Sequence, residues 1–210
     1  MVRSGISCFK RRLGFVCVVP LLLLGTYQTF AFGAKALVEK TGQITSYSAT
    51  GGEDGDLQKG VAWPNPRFKD NGNGTVRDRL TKLIWLKNAN AFGVRTWEQA
   101  LSDANTLSSG SAGLTDGSKA GDWRLPNVKE LHSLIDFAYT NPALSSASGT
   151  SQWTDGDIFI GVRWADYYWS STTYSYGTAN AWQVYLYNGN VGYVPKAATN
   201  RYVWPVRAGR

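Results

Sequence analysis

Few residues of this 210-residue chain could carry acid–base, nucleophilic or metal chemistry. Its single histidine, His132, stands in "NVKELHSLID", off the apolar stripe of Leu131, Leu134 and Ile135, and reads as a solvated helix residue. The two cysteines, Cys8 and Cys17, fall in the N-terminal apolar segment, so a thiolate nucleophile or a Cys/His zinc site has nothing to draw on elsewhere. Two Asp-Gly-Asp pairs, Asp54/Asp56 and Asp155/Asp157, place carboxylates in polar turns. Such pairs can bind calcium weakly or hold an acid–base couple, although solvated turns have the same composition. "DNGNG", from Asp70, starts like a calcium loop but lacks the alternating ligands and the closing glutamate, so it reads as an ordinary turn. The sequence therefore predicts no metal and no cofactor, and it is poorly equipped to be an enzyme.

Binding chemistry is far better supplied. Residues 167–194, "YYWSSTTYSYGTANAWQVYLYNGNVGYV", contain seven tyrosines and two tryptophans and no charged side chain. Tyrosine offers large, rigid contact area with a polar tip at low entropic cost, and Ser, Gly and Asn are adaptable fillers, a composition typical of evolved binding surfaces. In "AWQVYLYNGNV" the alternation points Trp182, Val184 and Leu186 to one face and Gln183, Tyr185 and Tyr187 to the other. Asn188-Gly189 is a strong two-residue hairpin signal, which would pair Leu186 with Val191 and Val184 with Tyr193 on the buried face, leaving Tyr185 and Tyr187 on the exposed one. Residues 167–210 include Lys196, Arg201, Arg207 and Arg210 but no Asp or Glu, so this end would favour an acidic partner.

The elements that must position this face begin after an export signal. Arg3, Lys10, Arg11 and Arg12 precede an apolar run over residues 13–25, and small residues follow at Ala31, Gly33 and Ala34. That layout predicts a signal peptide over residues 1–33; the run is interrupted by Pro20 and too short for a membrane span. Export would leave the protein in the periplasm, on the cell surface or outside the cell. Its removal takes four of the 22 basic residues and none of the 15 acidic ones, lowering the net charge from +7 to +3. A general nucleic-acid role loses its electrostatic support.

Residues 34–62 are polar and aperiodic and read as a flexible linker or loosely docked arm. A domain over residues 63–210 follows. "RFKDNGNGTVRD" predicts a hairpin and "LTKLIWLKN" a buried strand. Thr96 with Gln99, and Asn127 with Glu130, are capping boxes that predict helices over 97–107 and 128–138. "RYVWPVRAG" predicts one more strand in the sheet of the tyrosine segment.

"FKDNGNGTVRDRLTKLIWLKNAN", "TWEQALSDAN", "GDWRLPNVKELHSLID", "YWSSTTY", "AWQVYLYNGNV" and "YVWPVRAG", in this order, resemble the Lcl C-terminal domain family, a domain of unknown function. "DWRLPNVKEL" and "PVR" also resemble the formylglycine-generating, sulfatase-modifying enzymes. The resemblance implies an α+β, C-type-lectin-like fold: two helices packed on irregular antiparallel sheets with extensive loops. Relatives have cysteines near Ala91 and Ala112, so the resemblance implies a lost disulfide here. Copper-dependent formylglycine generation needs cysteines, and the calcium-dependent sugar motifs Glu-Pro-Asn and Trp-Asn-Asp of true C-type lectins are absent.

Domains of this kind also serve as targets of diversity-generating retroelements, and the resemblance places Tyr174, Tyr176, Tyr185, Tyr187 and Tyr193 among the positions so varied. These considerations predict an exported, non-enzymatic binding or adhesion domain. Tyr174, Tyr176, Gln183, Tyr185, Tyr187 and Tyr193, with Lys196 and Arg201, would contact a protein or glycan, which by family behaviour includes sulfated glycosaminoglycans. Two other readings stay open. One is an enzyme or degenerate enzyme on the formylglycine-generating scaffold, for which Asp157, Asp166 and His132 would have to converge. The other is an oligomeric, self-assembling envelope subunit. Trp123, Arg124, Trp169 and Trp204 read as structural pins between helix and sheet.

Overall fold

The computed structural model describes residues 38–209, all within one self-contained unit, Lys35–Arg210. The expected signal peptide, with Cys8 and Cys17, and the terminal Arg210 lie outside the described residues. The first element of the described residues is a short helix, α1 (Asp54–Leu57), followed by strands β1 (Phe68–Asp70), β2 (Thr75–Asp78), β3 (Ile84–Leu86) and β4 (Val94–Arg95). Helices α2 (Trp97–Thr106) and α3 (Val128–His132) follow, then β5 (Tyr167–Thr173), β6 (Asn180–Tyr185), β7 (Val191–Pro195), β8 (Arg201–Tyr202) and β9 (Val206–Arg207). The strands form a four-stranded sheet, β1-β2-β3-β9, and a five-stranded sheet, β4-β8-β5-β6-β7. The fold is thus mixed α+β, mostly strands in two sheets, with a single helix longer than a turn or so among the described residues.

Local signals placed the first elements well. The turn at Asn71–Gly74 closes β1 on β2, with Asp70 accepting the Gly72 N–H at 2.8 Å and Gly74 in the left-handed region (φ 82°). β3 is buried along its whole length. Both capping boxes form: Thr96 accepts the Gln99 N–H at 3.3 Å and Asn127 accepts the Glu130 N–H at 2.9 Å. Helix α2 buries Trp97, Ala100 and Ala104 as its periodicity requires.

Three expectations are corrected. The second helix does not reach residue 138 but ends at His132, because Leu134 and Ile135 bond back three residues, to Leu131 and His132, and Asp136 turns its N–H to the Ala143 carbonyl. Leu131, Leu134 and Ile135 are buried all the same, so the apolar stripe identified the core without identifying the helix length. The final strand divides at Pro205: β8 joins the five-stranded sheet and β9 pairs with β3 in the other. Trp204, between them, is fully buried and donates its indole N–H to the Leu86 carbonyl at 2.8 Å. The β6–β7 hairpin pairs Trp182 with Tyr193 and Val184 with Val191, two residues away from the register of a two-residue loop. The longer loop lets Leu186 sink into the core, where its carbonyl accepts the Ala143 N–H at 2.9 Å.

The main core gathers Trp85, Trp123, Tyr168, Val184, Leu186 and Trp204 around both sheets and α3. A second cluster packs α2 through Trp97, Ala100 and Ala104 onto Trp169, Ala181 and Val203. Ala91 and Ala112 pack against the main core as small apolar residues. The arm over residues 38–62 has its own attachments: Glu39 bridges to Val61, Trp63 donates to the Lys40 carbonyl at 3.1 Å, and Phe137 N–H donates to Thr41 at 2.9 Å. Beneath it the fully buried Arg67 lies between the rings of Trp63 and Phe68 and pairs with buried Asp78 at 3.5 Å. No helix among the described residues is long and apolar enough to cross a membrane.

Candidate functional site

Strand alternation in the five-stranded sheet separates the tyrosines into two groups. Tyr167 pairs with Tyr185 and Trp169 with Gln183, so these four share one face of the sheet. Trp182 and its partner Tyr193 stand on the opposite face, with Tyr168 and Val184. The tyrosines expected to form one recognition face are therefore two aromatic clusters: Tyr193 opposes an even-numbered residue of β6, as the expected hairpin already implied, but it is exposed there instead of buried.

The first cluster is a ladder of rings. Tyr167 stacks on Tyr185 with centroids 4.5 Å apart and planes 15° apart, and Tyr185 stacks on Tyr187 at 5.6 Å and 15°. Trp164 closes one end, 6.1 Å from Tyr187. Arg201 closes the other, its guanidinium 5.0 Å from the Tyr167 ring centroid. Since each ring covers the face of the next, the ladder offers an incoming ligand ring edges and phenolic hydroxyls instead of open ring faces. Tyr167 and Trp164 were not among the expected contacts; the pairing of Tyr167 with Tyr185 depends on which strands meet.

Gln183 has a different place from the one expected. It is 6% exposed, and its amide oxygen accepts a hydrogen bond from Arg201 Nε. It orients the Arg201 guanidinium. Burial lowers the Arg201 pKa, with Tyr167 and Asp166 opposing that shift, and the guanidinium remains a cation at neutral pH. No carboxylate among the described residues forms a salt bridge with it, whereas its cross-strand neighbour Arg95 is neutralised by Asp103 at 2.6 Å. Lys196 and Arg207 are committed elsewhere, and Arg210 lies outside the described residues. Lys196 Nζ lies 3.9 Å from the Trp97 ring centroid, and Arg207 donates to Asp116 at 3.0 Å.

The second cluster stacks Tyr174 on Tyr193 at 4.1 Å and 9°, with Trp182 edge-on to both. Tyr176 extends from it, 92% exposed, and Tyr193 is 52% exposed. Trp182, assigned to the core by alternation, is half-buried and belongs to this cluster.

The candidate acid–base residues are dispersed in their contacts. His132 packs against the Phe137 ring at 5.6 Å, Asp157 accepts the Ala147 N–H at 3.1 Å, and Asp166 lies 3.9 Å from Arg163. Asp54 and Asp56 accept from Thr41 and from the Gly52 N–H around α1. A cleft of about 360 Å³ runs beside the β1–β2 turn, but Asp70 on its wall is held by Lys87 at 2.6 Å, which keeps the Asp70 carboxyl below its usual pKa. No group of three or more His, Cys, Asp or Glu able to hold a metal occurs among the described residues. Of the expected pins, Trp123, Trp169 and Trp204 are fully buried, and Arg124 forms a bidentate pair with Glu130 at 2.6 and 2.7 Å.

The sequence profile of the Lcl C-terminal domain matches residues 74–207, which spans β2 through β9 and includes both aromatic clusters. The chain belongs to the Lcl C-terminal domain family. The function of this domain is unknown, and no curated protein matches the chain. Within the Lcl C-terminal domain, the exposed tyrosine-rich clusters occupy the C-terminal part.

Proposed function

We propose that this Lcl C-terminal domain is an exported, non-enzymatic binding module that holds a protein or glycan ligand on the Tyr167–Tyr185–Tyr187 ladder and Arg201. The observation that carries the reading is the ladder itself: three stacked phenols in a fixed row, ending in a guanidinium that forms no salt bridge among the described residues. Packing holds the rings in place before any ligand arrives, so little side-chain entropy is lost on binding. The hydroxyl edges suit hydrogen bonding to a hydroxylated or acidic ligand, and Arg201 favours carboxylate or sulfate groups. Export rests on the basic and apolar N-terminal segment.

The test is a glycan-array and surface-extract screen of Lys35–Arg210 beside two variants, Tyr185→Ser/Tyr187→Ser and Tyr174→Ser/Tyr176→Ser/Tyr193→Ser. Binding should disappear in the first and persist in the second, with circular dichroism unchanged in both. Binding that survives loss of the ladder, or that only the second variant abolishes, would sink the reading. Arg201→Ala should selectively weaken acidic ligands, by roughly tenfold for a charge-assisted hydrogen bond.

A further inference from the structure

β7 is the outer strand of the five-stranded sheet, and among the described residues no other strand pairs with its far side. The main-chain bonds that frame the hairpin, Tyr185 N–H to Asn190 and Lys196 N–H to Ala179, fix which residues of β7 face β6: Gly192 and Val194 do, in register with Gln183 and Ala181. Val191 and Tyr193 therefore turn both N–H and C=O outward. The next outward position is Pro195, which has no N–H and whose carbonyl is already taken by Ala198 N–H at 2.9 Å. Val191 and Tyr193 are also exposed in their side chains, at 38% and 52%.

Edge strands are commonly protected by charge. This one is not: residues 167–195 contain no charged side chain. We propose that the β7 edge is a self-association surface on which a second copy of this chain docks, antiparallel, about a two-fold axis at Gly192. In that register Val191 of each copy meets Tyr193 of the other, and both residues exchange N–H···O=C bonds in both directions. All four outward donors of the pair are satisfied in four bonds, with none directed at Pro195. Centring the axis on Tyr193 would instead set Val191 against Pro195 and leave its carbonyl without a donor, so Pro195 selects the register. The same pairing places Lys196 opposite Asn188 of the second copy, which keeps like charges apart, and brings two glycines together at the axis, where the backbones can approach. Val191 and Tyr193 lie on the face of the second aromatic cluster, so pairing would extend the Tyr174–Tyr193 stack toward its counterpart. The ladder of Tyr167, Tyr185 and Tyr187 is on the other face and stays free.

The pairing makes a positional demand that chemical crosslinking can read. Lys35–Arg210 contains no cysteine, so an introduced one is the sole thiol. Gly192 has no positive φ, and a Cβ there meets nothing closer than 3.7 Å, so Gly192→Cys fits the strand. At the axis the two Cα atoms would be ~4.5 Å apart, as in a non-hydrogen-bonded antiparallel pair, within disulfide range. Asn190→Cys lies two residues off the axis, and its copies would be more than about 13 Å apart. Under mild oxidation Gly192→Cys should form a disulfide dimer and Asn190→Cys should stay monomeric. Val191→Pro, added to Gly192→Cys, removes an outward N–H from each copy without touching the β6 ladder, and should slow crosslinking by about tenfold or more. Equal crosslinking of the two cysteine variants overturns the proposal, whether or not the proline variant folds. So does a folded proline variant that crosslinks at the undiminished rate. Failure of the glycan screen would not touch this result, because the ladder is not part of the paired edge.

Discussion

Asp136 sits where the N-terminal arm meets the core, and replacing it with asparagine gives a prediction with a definite sign. Its carboxyl is almost fully buried, accepts the Ala138 N–H at 2.9 Å and packs against Gly42 of the arm. Burial is the largest influence and pushes its pKa from 3.8 to about 6, against the opposing pull of the Ala138 bond and the Arg67 charge. The folded state therefore keeps a proton that the unfolded chain gives up near pH 4. For a raised carboxyl, the stabilising contribution is complete below pH 3.8, falls as pH rises toward 6, and is absent above it. A shift of about two units corresponds to ~3 kcal/mol. Asp136→Asn keeps an acceptor for Ala138 but cannot ionise, so it avoids that loss. Relative to wild type it should gain about 3 kcal/mol between pH 4 and pH 7. Glu39, also pushed up by burial, adds a slope of the same sign to both proteins and cancels in the difference. Urea unfolding followed by tryptophan fluorescence, repeated across this pH range, measures the gap. A gap that stays constant with pH, or that moves in favour of wild type as pH rises, would refute the argument.

Asp78→Ala should cost about 3–5 kcal/mol in the same assay, since it leaves Arg67 buried without its ion-pair partner and frees the Leu80 N–H and Thr81 hydroxyl that Asp78 accepts. Thr96→Ala removes one half of a formed capping box and should destabilise by about 1 kcal/mol, seen as a lower urea midpoint at unchanged slope. Gly189→Ala meets both a left-handed backbone (φ 81°) and Ile135 Cγ2 at 2.7 Å, so a loss of about 2–3 kcal/mol is expected; a loss under 0.5 kcal/mol would show that the loop relaxes freely.

What could be read from the residues alone was local in origin. The turn at Asn71–Gly74, the caps at Thr96 and Asn127, and the alternation through residues 182–187 are encoded within a few positions, because φ preference, cap geometry and pleat periodicity act over that range. The order of the family segments was legible in the same way, and the profile match over residues 74–207 agrees with it. The rest depended on partners distant in sequence. The α3 helix stops at His132 because the chain beyond it bonds to Ala143, and the β6–β7 register slips by two because Leu186 is claimed by the core. β8 and β9 part company because Trp204 fills the space between sheets. Composition and alternation revealed that tyrosines dominate residues 167–194 and that Tyr185 and Tyr193 face opposite ways, yet only strand pairing decided that Tyr167 stacks on Tyr185 and that Tyr193 is exposed. It likewise decided that Arg201 is held by Gln183 while Lys196 rests on Trp97. A side chain's type is a property of one position, but its face, its neighbours and its free charge are properties of the pairings that bury the most apolar surface and leave the fewest main-chain groups unbonded.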